Sequence, residues 1–222
     1  MQGSDMKKIR GIIFDLDGVL CFTDRLHYEA WKEVCNRYGF AFSKEDNDLL
    51  RGVSRMDCVD IITSRQQSVP SDFDRERFAF EKNELYRAGL KTLTDADLAP
   101  DIKKTLSVLR KKGLKLAVGS SSKNAGTILD QLKLREYFDA VVDGNDISRS
   151  KPNPEVFIRA AERLSLRSDE CIVVEDAAAG AEAGLNDGFY VAAINDARST
   201  DGVTWKIDSA RDLLNLDIFN EE

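Results

Sequence analysis

Five short apolar runs recur along the chain: "IRGIIFDLD" at 9–17, "LKLAVGSSS" at 114–122, "YFDAVVDG" at 137–144, "ECIVVEDA" at 170–177 and "GFYVAAIN" at 188–195. Each is rich in β-branched residues and bounded by polar residues or glycine, which predicts strands. Their apolar stretches are continuous rather than alternating, so both faces of the sheet should be covered, as in a parallel sheet. Between them the spacing turns helical. Ile102, Leu106 and Leu109 share one face, with Gly113 placed as a helix terminator. Ile128, Leu129 and Leu132 form a second face. Val156, Phe157, Ala160, Ala161 and Leu164 form a third, after Pro154, a favourable first-turn residue. This βαβα alternation predicts an α/β fold with a doubly wound parallel sheet, Rossmann-like in its winding.

Residues 23–92 depart from that rhythm. Leu26, Ala30, Trp31, Val34, Cys35 and Tyr38 recur at helical period, and charged helical sequence continues to about Ala88 with no strand signal. A stretch of this length is too long for a loop inside a compact domain. It is read as an all-helical insert, 23–92, splitting an α/β core made of 1–22 and 93–222.

Composition narrows the possibilities. The chain has 222 residues, 42% hydrophobic and 32% charged, enough for a packed core. The net charge is −7 and no long basic run occurs, so nucleic acid is not an expected partner, and any anionic ligand must be held by local cations. No apolar run reaches membrane-spanning length and the first residues contain no apolar leader segment, so neither membrane attachment nor secretion is expected. Cys21, Cys35, Cys58 and Cys171 form no C-x-x-C pair and are expected as free thiols in a reducing cytoplasm.

The candidate chemistry lies where predicted strands end. In open α/β sheets, ligands bind outside the carboxyl ends of the strands. There the chain places Asp15 and Asp17, then Ser120, then Lys151 in "SKPNP", then Glu175 and Asp176. Several carboxylates in one crevice repel one another unless a cation joins them. Oxygen ligands suit a hard divalent ion, and Mg²⁺ commonly works beside phosphate. The lysine and serine suit a phosphoryl group. A carboxylate can itself attack phosphorus to form an aspartyl-phosphate, with a second one moving the proton.

In this order, "GIIFDLDGV", "LAVGSSSKN", "SKPNPEVF" and "IVVEDAAAG" resemble the four motifs of the haloacid dehalogenase superfamily, with the insert in the position of its helical cap. Within it the chain looks most like the β-phosphoglucomutase family, through "HYEAWK" (27–32), "RGVSR" (51–55) and "SSSKN" (120–124). The resemblance implies interconversion of β-glucose 1-phosphate and glucose 6-phosphate through a 1,6-bisphosphate. A sugar-phosphate phosphatase of the same superfamily is the alternative, sharing the core motifs and differing in the cap. It further implies that Asp15 is the nucleophile and Asp17 the general acid/base. Asp15, Asp17 (through its backbone carbonyl), Glu175 and Asp176 would hold Mg²⁺. Ser120 and Lys151 would bind the transferred phosphoryl group, with Ser122, Lys123 and Asn124 close by. His27, Trp31, Arg51, Arg55 and Lys82 would contact the sugar or its distal phosphate. A cap of its own makes a monomer the expected state. Three positions depart from the pattern: Phe22 stands where an aspartate is usual, Asp101 where a glycine is usual and Ala177 where a serine is common. The first two bear on the hinge and the third on a hydrogen bond beside the metal residues.

Overall fold

The structure, a computed structural model, describes residues 8–50 and 53–219. Its centre is a parallel sheet of six strands. They are β1 (Gly11–Phe14), β2 (Lys115–Gly119), β3 (Ala140–Val142), β4 (Cys171–Glu175), β5 (Tyr190–Ala193) and β6 (Trp205–Lys206), in the spatial order β3-β2-β1-β4-β5-β6. The five apolar runs form the first five strands. β6 was not expected, because two residues carry no readable period. The chain winds outward from β1 in one direction through β2 and β3, and in the other through β4 to β6. The crevice therefore opens at the carboxyl ends of β1 and β4.

Eight helices accompany the sheet among the described residues. Four lie between β1 and β2 along the chain before the core resumes: α1 (Asp24–Arg37), α2 (Lys44–Asp48), α3 (Arg55–Ser64) and α4 (Arg75–Leu90). The others are α5 (Ile102–Lys111), α6 (Ala125–Gln131), α7 (Glu155–Leu164) and α8 (Ala178–Asn186). Successive β1 side chains point to opposite faces. Ile12 and Phe14 join one apolar cluster with residues of α5 and α6, and Ile13 joins another with residues of α7 and α8. A third cluster, built on Trp31, Val34, Phe40, Val59, Ile62 and Phe78, belongs to the helical insert alone. The stripe predicted for α1 is divided: Leu26 and Ala30 pack with the first cluster, while Trp31, Val34 and Cys35 pack in the third.

Two linkers join the insert to the core. They run side by side, with an antiparallel bridge between Cys21 and Leu98, Phe22 N–H donating to Asp97 C=O at 2.8 Å, and Ala99 N–H donating to Leu20 C=O at 3.0 Å. Phe22 uses its backbone here and turns its ring to solvent, 49% exposed. Asp101 occupies a left-handed conformation, φ +56°, at the N-terminus of α5, and its carboxylate accepts from Arg211 at 2.9 Å. The usual glycine is thus explained by the backbone, and aspartate is among the few other residues that tolerate it.

Candidate active site

Asp15, Ser120, Glu175 and Asp176 reach the mouth of the sheet because their strands stop there, and Lys151 reaches it from the loop between β3 and α7. Asp15 follows β1 and is held by its backbone N–H on Val174 C=O at 2.9 Å. Gly18 turns the chain with φ +79°, and any Cβ there would overlap the Asp176 carboxylate. A Cβ on Gly180 would likewise overlap Glu175 Oε1, so this second glycine keeps the space that Glu175 occupies. Carboxylate oxygens of Asp15, Glu175 and Asp176 lie within 4.8 Å of one another. Lys151 Nζ donates to Asp15 Oδ1 at 2.5 Å and to Glu175 Oε1 at 2.7 Å, all three side chains being buried. The other oxygen of Glu175 accepts from the backbone N–H groups of Asp176 and Ala177. Ser120, 3% exposed, follows β2 at the same edge of the sheet, and its Oγ accepts from Ser122 N–H at 3.1 Å.

The electrostatics follow from crowding. Burial, with Glu175 and Asp17 adding to it against the pull of Lys151, raises the Asp15 pKa to about 7. Burial, then Glu175 and Asp15, raises Asp176 to about 9. Burial also raises Asp17, against the Thr23 hydroxyl and the more distant Lys82. Burial opposes the charge on Lys151, yet Asp15 and Glu175 outweigh it and hold the ammonium protonated. One lysine cannot neutralise this many carboxylates. The donor set is all hard oxygen, so Asp15, Glu175 and Asp176 fit a divalent cation such as Mg²⁺.

Lys151 is fixed through its loop. Glu155, the first residue of α7, accepts from Ser148 N–H and Oγ, from Arg149 N–H, and from the Arg159 guanidinium, at 2.7–3.0 Å. These bonds, the Ser148 hydroxyl foremost, lower its pKa to about 2.

The cap side of the crevice is ordered by one face of α4. Lys82 is 3% exposed. Its Nζ donates to His27 Nδ1 at 2.9 Å and lies over the rings of Trp31 and Tyr86, at 4.8 and 4.6 Å from their centroids. Burial foremost, with Arg55 contributing, lowers Lys82 to about 7, and burial together with Lys82 and Arg55 keeps His27 well below its ordinary value. Tyr86 lies against His27, with ring centroids 4.1 Å apart and the planes tilted by 38°, and donates to Thr23 Oγ1 at 3.1 Å. Thr23 in turn donates to Asp17 Oδ1, so a continuous contact path joins the cap to the strand-end aspartate. Arg55 Nη2 donates to Asn83 Oδ1 at 2.7 Å, and Asn124 Nδ2 donates to the same oxygen at 3.0 Å.

Trp31 needs correction. It was expected among the substrate-facing residues, but it is 2% exposed and packed on Phe78 inside the cap, because it falls on the apolar face of α1. It reaches the crevice only through Lys82. Ser122 stays in the loop after β2, where its Oγ accepts from Asn124 N–H at 3.3 Å, and Lys123 is exposed there. Arg51 lies outside the described residues. Thr23, Asn83, Tyr86, Glu155 and Gly180 were not singled out in the sequence. Thr23, Asn83 and Glu155 are polar residues in helical or hinge sequence, where solvated side chains are the rule. Gly180 alone left a signal, as a glycine inside a helix one turn beyond "ED".

The profile of the haloacid dehalogenase-like hydrolases matches residues 12–194. The β-phosphoglucomutase of Bacillus subtilis (strain 168) is 30% identical over 216 residues, covering 96% of this chain and 95% of that protein. The fructose-1-phosphate phosphatase YqaB of Escherichia coli (strain K12) is 32% identical over 183 residues, 82% of this chain and 95% of that one. Among solved structures, the β-phosphoglucomutase (pgmB) of Clostridium difficile superposes with a TM-score of 0.86 at 29% identity, covering 96% of this chain and 97% of that one. With the motif order, the sheet topology and these likenesses in agreement, the chain belongs to the haloacid dehalogenase-like hydrolases and, within them, to the β-phosphoglucomutase family.

Proposed function

We propose that the chain is a Mg²⁺-dependent phosphomutase that interconverts β-glucose 1-phosphate and glucose 6-phosphate through an aspartyl-phosphate and the 1,6-bisphosphate. What supports this reading is the cap: Lys82 is bound to His27, Arg55 is held by Asn83 on the oxygen that also binds Asn124 of the core, and Arg55 has no carboxylate partner among the described residues. A phosphatase needs one phosphoryl site and a water. A mutase must also hold a second phosphate while the first is transferred. A guanidinium left uncompensated on the cap suits that second group, since it can grip a phosphate with two parallel donors.

Residues 23–92 act as the cap in this reading and the remainder as the catalytic core. Lys151 engages Asp15 Oδ1, which leaves Oδ2 to attack phosphorus. The bond from phosphorus to the sugar oxygen breaks as the new bond forms. Asp17, its acidity weakened by burial, gives its proton to that oxygen. In the other half-reaction a sugar monophosphate presents its free hydroxyl to the aspartyl-phosphate, and Asp17 takes that proton. The phosphoryl group passes from Asp15 to the sugar oxygen to make the 1,6-bisphosphate, which then turns and gives its other phosphate to Asp15. Thr23 fixes one oxygen of Asp17 and leaves the other for the proton. Asp15, Glu175 and Asp176, with the Asp17 backbone carbonyl, would hold Mg²⁺, which when bound neutralises charge on the transferring phosphoryl group. Ser120 stands beside that group as a hydroxyl donor. Cap closure keeps water from the aspartyl-phosphate, so that the sugar hydroxyl is the acceptor.

The experiment is phosphorus NMR of the protein with β-glucose 1-phosphate, Mg²⁺ and a trace of the bisphosphate. Glucose 6-phosphate should grow in without free phosphate, and release of inorganic phosphate at a comparable rate would exclude the mutase. Asp15→Asn should abolish turnover by either route. The second reading, a sugar-phosphate phosphatase, is supported by the 32% identity to the fructose-1-phosphate phosphatase, and the same spectrum decides between them.

A further inference from the structure

Among the described residues, Asn83 binds with its one side-chain oxygen a donor from each side of the crevice. Arg55 opens α3 in the cap, and Asn124 precedes α6 in the core, in the loop after β2. Both donate to Asn83 Oδ1, at 2.7 and 3.0 Å. Asn124 is 8% exposed, and its backbone N–H is held by Ser122 Oγ within the core loop after β2. The acceptor is an amide, not a carboxylate. It orients a guanidinium without cancelling its charge, and an arginine has five N–H donors, of which this contact uses one. On α4 the neighbouring Lys82 is bound to His27, so the two adjacent residues serve two different tasks at the same rim.

We infer that Asn83 is a positioning residue that assembles the anion site for the substrate's second phosphate from both bodies. It holds Arg55 of the cap and Asn124 of the core on one neutral acceptor. The site is complete only when the cap is seated, and its positive charge is kept for the ligand. This inference rests on the sugar-phosphate reading above and assigns a residue that the motifs do not mark.

Charge separates this role from a structural one. Asn83→Asp keeps the shape and both hydrogen bonds and adds the negative charge that the role forbids. Asn83→Ala removes the contacts and adds no charge. The test is steady-state kinetics of wild type, Asn83→Ala and Asn83→Asp on glucose 6-phosphate with the bisphosphate present. Thermal unfolding of each variant confirms that it is folded, and the kinetics are repeated in an Arg55→Ala background. KM is read from whichever product wild type makes. A finding of hydrolysis therefore counts against the mutase and leaves the comparison of variants intact. In Asn83→Ala, KM should rise ~10-fold and by more than kcat falls; in Asn83→Asp, it should rise ~100-fold, the carboxylate neutralising Arg55. The excess of Asp over Ala should vanish once Arg55 is alanine. Asn83→Asp binding as well as Asn83→Ala or better would overturn the inference, because a purely structural contact favours the isostere.

Discussion

Thr23 is a hydroxyl with two obligations. It is fully buried, gives its proton to Asp17 and accepts one from Tyr86. Thr23→Val keeps the shape and leaves the buried Tyr86 hydroxyl without an acceptor, which costs about 1–3 kcal/mol. Urea unfolding should show that loss, and kcat should fall with it because Asp17 is no longer oriented. Thr23→Ser should restore most of both, and a Val variant as stable and as active as wild type would remove Thr23 from the site. Phe22, the residue that breaks the family pattern, touches none of this chemistry through its ring. The hinge uses its backbone, and the side chain beside it does the work. At this scale the strand-end carboxylates and Ser120 were legible because each ends an apolar run, and Lys151 because it sits in "SKPNP" in the loop after the third run. The partners Asn83 and Tyr86 were not, because a polar or aromatic residue in a helix looks the same whether it faces solvent, core or site.

At the scale of elements, two helix N-termini shape the site. Glu155 starts α7 and ties down the loop that carries Lys151. Its pKa is depressed from 4.5 to about 2, so the stability it contributes is fully present above about pH 4.5 and is lost as the pH falls through about 2. Glu155→Gln should therefore be less stable than wild type at neutral pH, and the gap measured by chemical unfolding should narrow between pH 4.5 and pH 2. A constant gap would show that the charge is not what matters. α8 begins at Ala177 in extended conformation with no side-chain cap. Ala177→Ser supplies the missing acceptor and should stabilise by about 1 kcal/mol in denaturant unfolding. No gain would mean that Gly180 N–H, already donating to Ala177 C=O at 3.1 Å, is not available to the new hydroxyl. Gly180→Ala one turn later should do the reverse, despite alanine's higher helix propensity, because its Cβ would displace Glu175.

In the whole molecule, opposed charges are concentrated at one place. A chain of net charge −7 gathers Asp15, Asp17, Glu175 and Asp176 around one directly bonded lysine, Lys151, with Lys82 acting on Asp17 from the cap side. Binding of Mg²⁺ to the folded state should therefore stabilise all of it, by about 2.7 kcal/mol at a hundredfold excess over Kd. Adding a chelator should lower the unfolding temperature of wild type and leave Asp176→Asn nearly unchanged. An equal response in both would place the ion elsewhere. The two linkers between the helical insert and the core are paired through Cys21 and Leu98, so the proposed closure of the cap would turn about this one crossing. None of the structure's helices, among the described residues, is long and apolar enough to cross a membrane.

The sequence by itself determined five of the six strands, the helices on the faces of the sheet, the helical insert and the order of carboxylates, serine and lysine along the chain. These follow from local periodicity and from where an apolar run must stop. It also carried the family, because the motifs hold their order along the chain. Only the tertiary structure decided which side chains meet across the crevice. Thr23 and Tyr86 bridge 63 residues of sequence, and Asn83 and Asn124 bridge 41. Contacts of that span are set by how the cap seats on the core, which no local pattern encodes. The same geometry took Trp31 away from the substrate and put it under Lys82. An apolar face at helical period determines that a residue is buried, and the packing of the helices determines against what.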